Sequence, residues 1–297
     1  MIYKLADLQR TARSNRYAIP HLLGGNLEMT HGEIRAAEAL DSPIALGLAP
    51  EVFASVPMEI AFPMILNAAE RATVPVAVQL EHGKSHAQIA RALRLGVGSV
   101  MFDGSDLPFE ENVARTREIV MMAHAFDACV EAELGSVGGS ALRGGTADPT
   151  GYTTDPDLVL DFIASTGVDS LAISFGNVHG RYRGEPTIDL ELVARIAAIT
   201  DTPLVMHGGS GLPDDVYPAI VAAGISNVHF YTGIAMHAWE ALKERIGDDD
   251  RHPPYHEVVA HAVDFFEGRT RHVIGLLGSA GRASDFVRLP AQQASHG

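Results

Sequence analysis

PVAVQLEHGKSHAQIARALRLG, residues 75–96, contains one complete strand followed by one complete helix. PVAVQLEH is short, mostly apolar and rich in valine, the composition of a strand covered on both faces. It ends on a carboxylate, Glu81, and an imidazole, His82, followed by glycine. Ser85 stands where a helix N-cap belongs, and Gly96 closes the helical pattern. A buried strand that ends on two titratable groups points to something bound at that end.

The same unit recurs along the chain. Strand-like runs at 17–23, 43–49, 75–82, 99–104, 129–134, 170–176, 203–208 and 227–232 each precede a helical pattern or a loop leading to one. Gly167 and Gly224 end two further helices as Gly96 ends the first, and a new strand follows each. Eight such units in about 230 residues predict an α/β fold, a (β/α)8 TIM barrel. The alternative, an open doubly wound sheet, lacks the G-x-G-x-x-G expected after its first strand. YHEVVAHAVDFFEGRTRHVIGLLG, after residue 250, adds one or two C-terminal helices. Residues 1–283 are expected to form a single barrel domain including these helices, and residues 284–297 a tail.

Composition narrows the function classes. Of the 297 residues, 46% are hydrophobic and 20% charged, enough to bury a sizeable core. The net charge is −15, so the chain has no basic footprint for nucleic acid. An anionic ligand must then be held by a metal, helix N-termini or single arginines. No apolar run is long enough to span a membrane and no signal peptide is evident. The single cysteine, Cys129, lies in an apolar run and is expected to be a buried thiol. These features predict a cytoplasmic protein.

Polar residues gather where the strands end. His82 follows the third strand, Asp103 closes the fourth, His179 follows the sixth and His207 closes the seventh. Glu131 and Glu133 lie two apart on the fifth strand and share a face, as do His229 and Tyr231 on the eighth. In a barrel all these ends form one rim, where residues read as catalytic. Three histidines with carboxylates on one rim suit a divalent ion, zinc first. HGGSG, residues 207–211, leads into a helix and reads either as an anion cradle or as an ordinary glycine-rich turn. Thr232-Gly233 opens the last helix in the same way.

Four stretches together carry a resemblance: FDGSDLPFEEN (102–112), VEAELG (130–135), GNVHGRYRGEP (176–186) and HGGSGLP (207–213). They are similar to the class II, zinc-dependent fructose-bisphosphate and tagatose-bisphosphate aldolases, from about Tyr17 to Arg282. The resemblance implies a carbon–carbon lyase, a divergent member of that family. It would cleave a ketose phosphate or bisphosphate, or a related sugar-derived substrate, reversibly through a zinc-stabilised enediolate. It implies Glu81 as catalytic acid and His82, His179 and His207 as ligands of one catalytic zinc. Asp103 and Glu133 would serve an alternate or second divalent position. Gly180, Gly208, Ser210 and Thr232 would hold phosphate, and the assembly would be a homodimer or homotetramer.

Departures from the pattern bear on the substrate. The family's acid is normally Asp, and Glu81 adds one methylene, moving the carboxyl by roughly 1.5 Å. The loop GGSALRGGTADPTGY, residues 138–152, lacks the acid that the family places after its glycine pair and offers Arg143 instead. A guanidinium there would bind an anionic group of the substrate and could not act as a base. His229 and Tyr231 stand where the family offers Asn and Asp to substrate, so His229 is a further candidate for substrate binding. Two other readings compete. One is a non-catalytic relative that keeps zinc and binds a sugar phosphate. The other is a barrel metallohydrolase, weakened because YAIPHLL has a lone His21 where H-x-H is usual.

Overall fold

The structure, a computed structural model, describes residues 1–138, 146–147, 153–182, 186–247 and 254–286. In chain order its strands are β1 (Ile19–Leu23), β2 (Ile44–Leu48), β3 (Val76–Gly83), β4 (Ser99–Phe102), β5 (Cys129–Leu134), β6 (Thr146–Ala147), β7 (Ser170–Ile173), β8 (Arg181–Tyr182), β9 (Leu204–Met206) and β10 (Ile225–Phe230). All but β6 and β8 join in one closed barrel, in the order β1-β2-β3-β4-β5-β7-β9-β10 and back to β1. Every pairing in it is parallel. The eight barrel strands are followed in turn by α2 (Leu27–Ala39), α3 (Met58–Arg71), α4 (His86–Arg94), α5 (Phe109–Ala125), α6 (Pro156–Thr166), α7 (Leu190–Ile199), α8 (Val216–Ala223) and α9 (Thr232–Gly247). This is the (β/α)8 barrel the sequence predicts. Helix α1 (Leu5–Ser14) precedes it and α10 (Tyr255–Leu277) follows.

Strand alternation divides two cores. On β3, Val76, Val78 and Leu80 face outward and pack with the helices. Full burial contributes roughly 1.5–3 kcal/mol for each such side chain. Ala77 faces inward and joins Ile19, Ala45 and Cys129 at the N-terminal end of the barrel. Leu5, Leu8 and Ala12 of α1 cover that end. Small side chains inside leave room for this plug, and Cys129 is a free, buried thiol as expected. Local signals act as read: Ser85 caps α4 by accepting the Gln88 N–H, and Gly167 ends α6 in the left-handed conformation. Helix α10 is the expected C-terminal addition and lies against α2. Gly32 permits the contact, because a β-carbon there would sit 2.5 Å from the Val263 carbonyl oxygen.

Glu33 on α2 is a cost within this packing. It is 1% exposed, and its Oε2 has no hydrogen-bond partner. Burial pushes its carboxyl up to about 8 from the ordinary 4.5. Between those values the folded chain keeps a proton that the unfolded chain releases, so stability falls as pH rises towards 8. The loss is roughly 3–6 kcal/mol across that window. Glu33→Gln should therefore flatten the decline of Tm between pH 5 and pH 8.5, by several degrees in thermal melts.

Candidate metal centre and catalytic pocket

Glu81 and His82 are neighbours on β3, and plain alternation would aim them at opposite faces. They do not diverge, because His82 has a φ of 42° and the pairing of β3 with β4 shifts between Leu80 and Gly83. A non-glycine residue in this conformation costs roughly 1–3 kcal/mol, a strain typical of functional sites. The result turns the His82 ring onto the rim, with His179 after β7 and His207 after β9. The three ring centroids lie 4.8–5.6 Å apart.

Hydrogen bonds fix which nitrogen of each ring is free. His82 Nδ1 lies 3.1 Å from Asp103 Oδ2, and His207 Nε2 lies 2.9 Å from Glu131 Oε1. His179 Nδ1 faces the Val137 carbonyl oxygen at 3.4 Å. Each of these oxygens accepts, so each of these nitrogens donates. That leaves His82 Nε2, His179 Nε2 and His207 Nδ1 as lone pairs. The first and last are 3.2 Å apart, and each of the three residues offers a ligand atom within 4.8 Å of the others. Two lone pairs at that distance repel unless a proton or a cation lies between them. The donor set therefore fits a divalent ion, with Asp103 and Glu131 orienting its ligands from behind. Burial, then the neighbouring His82 and His207, hold His179 well below its ordinary range, which keeps it neutral for coordination. His207 is drawn down by burial, yet Glu131 and the other carboxylates lift it to about 9, so without an ion its Nδ1 holds a proton towards His82 Nε2, the proton that a bound cation would replace.

Asp103 and Glu133 form a second cluster with His82. Asp103 also takes Lys84 Nζ at 2.7 Å and Ser105 Oγ at 2.7 Å. Burial raises the Asp103 carboxyl, but His82 and Lys84 outweigh it and hold it below the usual range. Glu133 Oε1 accepts the Val137 N–H, while its buried Oε2 has no partner. An orphaned carboxylate oxygen beside the histidine group is a second feature that fits a cation.

Beneath the rim lies a polar layer that the sequence reading largely missed. Glu81 is fully buried. Its Oε1 accepts Gln79 Nε2 at 2.8 Å and lies 3.2 Å from His21 Nε2. Its Oε2 lies 3.0 Å from His229 Nδ1. His229 Nε2 reaches Asn227 Oδ1 at 2.9 Å, and Asn227 Nδ2 donates to the Ile19 carbonyl oxygen. That last bond orients the amide, so His229 Nε2 must carry hydrogen. Both ring nitrogens of His229 are thus engaged inside the barrel. The signal for Gln79 and Asn227 was period two: each stands two residues before a residue already singled out.

One pocket brings together His82, His179, Gly180, Gly208, Ser210, His229 and Thr232, with Leu23, Phe230 and Tyr231 on its walls. These include all four residues expected to hold phosphate. Thr232 begins α9, and a helix start favours an anion. Glu81 is not on that lining; it sits behind it. Arg143 lies outside the described residues.

Comparison with known proteins places this geometry. The profile of the family described as fructose-bisphosphate aldolase class-II matches residues 3–282. The chain belongs to this family. YdjI of Escherichia coli (strain K12), described as uncharacterized, is 34% identical over 282 residues, which cover 94% of this chain and 99% of YdjI. An X-ray crystal structure that calls YdjI an aldolase matches with a TM-score of 0.83 and 32% identity, over 95% of this chain and 100% of that one. The fructose-bisphosphate aldolase of Campylobacter jejuni, at 19% identity, shares the fold with a TM-score of 0.78, over 94% and 96% of the two chains. This class II aldolase family member carries His82, His179 and His207 at or just after the C-terminal ends of strands, the face where such barrels place their active sites.

Proposed function

We propose that this chain is a metal-dependent class II aldolase that reversibly cleaves a ketose phosphate or a related sugar-derived substrate. One observation carries the reading: three imidazoles, each with one nitrogen spent on an oxygen, turn the other towards a single point on the rim. Zinc is the expected ion; when bound it would polarise the substrate's ketone and adjacent hydroxyl and stabilise the negative charge that bond cleavage leaves. His82, His179 and His207 would hold it, with Asp103 and Glu133 offering an alternate or second position.

Gly180, Gly208, Ser210 and Thr232 would fix the phosphate through small side chains, hydroxyls and the start of α9. Glu81 would take the proton of the hydroxyl beyond the breaking bond and return it in condensation. From its buried position it must turn towards the rim to do so. In the resting geometry His229 meets that carboxyl group through Nδ1 and Asn227 through Nε2, so neither ring nitrogen is spare. The single cysteine supports a cytoplasmic enzyme, and no described helix is long and apolar enough to cross a membrane.

The seclusion of Glu81 behind the pocket favours one other reading, a non-catalytic relative that binds metal and sugar phosphate. A panel of ketose phosphates, assayed for aldehyde release with and without chelator, separates the two. The proposal expects cleavage of at least one member, abolished by chelator. Metal-dependent binding without cleavage of any member would select the binding protein.

A further inference from the structure

We propose that His21 and Gly47 form a socket, built for a glutamate, that positions Glu81. The inference rests on the reading of Glu81 as the group that moves the substrate proton. His21 on β1 pairs in register with His229 on β10, and their rings lie 3.9 Å apart. Both side chains meet the Glu81 carboxylate, His21 at Oε1 and His229 at Oε2. Gln79 donates to Oε1 from below. The carboxylate is thus gripped from three strands: β1, β3 itself and β10.

Gly47 on β2 supplies the space. A β-carbon there would sit 2.6 Å from His21 Nε2, 2.8 Å from Glu81 Cγ and 3.2 Å from Glu81 Oε1. The first two are closer than side-chain atoms approach, and neither neighbour has room to yield, because both are fully buried. Gly47 has no need of glycine's backbone freedom, since it is not among the residues with positive φ. The missing side chain is what the imidazole and the carboxylate occupy. Neither nitrogen of His21 makes a well-aligned hydrogen bond, and its polar neighbours are Glu81 and Asn227. An imidazole that is fully buried and poorly satisfied costs stability, and its position against Glu81 gives it a use. Burial, with His229 close by, pulls its pKa down to about 3, so it meets the Glu81 carboxyl group as a neutral ring, 3.2 Å away.

His21 and Gly47 are positioning residues, and they act only through Glu81. The test uses zinc-loaded full-length protein and the ketose phosphate cleaved fastest in the panel. Gly47→Ala and His21→Phe should each keep the metal content of the wild type. Each should lower kcat roughly 10- to 100-fold, as expected when a reacting group is displaced by about 1 Å, with KM within about threefold. His21→Gln, which restores an N–H near the same point, should recover most of that loss. In a Glu81→Gln background neither substitution should lower kcat further, whereas a general packing defect would slow both backgrounds alike. Equal losses in both backgrounds, or wild-type kcat in His21→Phe, would overturn the socket. If Gly47→Ala does not fold, His21→Phe and His21→Gln carry the test alone. A Glu81→Gln single variant at full rate would instead overturn the role of Glu81. In that case a crystal structure of Gly47→Ala decides the socket. A carboxylate displaced from Gln79 and His229 supports it, and one still bonded to both overturns it.

Discussion

Glu81→Gln should keep its metal and lose roughly 10²–10⁴-fold in kcat for ketose phosphate cleavage. The substitution is nearly isosteric and removes the only feature the proposal needs, a carboxylate that can take and return a proton. Metal retention is expected because the three coordinating rings are oriented by Asp103, Val137 and Glu131, and Glu81 touches none of them through those bonds. Glu81→Asp is the sharper variant. It withdraws the carboxyl by roughly 1.5 Å from His21 and His229, so restoring the family's usual residue should also slow turnover. Steady-state rates and elemental analysis on the same preparations check both points. An unchanged rate in Glu81→Gln would remove Glu81 from the mechanism.

His207→Ala should have the largest effect of all, loss of the bound ion and activity reduced to the level of the chelated enzyme. It deletes one of three ligands and also strips Glu131 Oε1 of its donor, leaving a buried carboxylate opposite Glu81 with only the longer bond from Gln79 Nε2. His179→Ala should lose metal without that second penalty, since its outer partner is only a backbone carbonyl oxygen. Asp103→Asn tests the graded version of the same idea. It keeps the first sphere intact and weakens the hold on His82, so metal affinity should fall by roughly 10–100-fold. Metal-buffered titrations of the three variants give the order; His179→Ala binding as tightly as the wild type would remove that residue from the ligand set.

The sequence carried the barrel because each strand–helix unit is local. A valine-rich run, a capping Ser85 and a stop at Gly167 are legible one unit at a time, and closure follows from having eight. The rim histidines were legible for the same reason, since strand ends share one face whatever their partners. The plug formed by α1 was not. Its stripe of Leu5, Leu8 and Ala12 is short, and only the small inward residues of β2 and β3 give it somewhere to go. The polar layer was hidden for a related reason. His21 looks alone in YAIPHLL, and its neighbour His229 is more than two hundred residues away, joined to it only when β10 closes against β1. His82 shows the limit of alternation as a guide. Strict period two sends its ring away from Glu81, and a single left-handed residue turns it onto the rim.

The most direct test of the account is reconstitution. Metal-free wild-type protein, given zinc in steps, should gain ketose phosphate cleavage in proportion to zinc added and saturate near one ion per chain, with His207→Ala gaining nothing. Full cleavage by the metal-free protein, or equal recovery by His207→Ala, would contradict the claim that His82, His179 and His207 hold the catalytic ion.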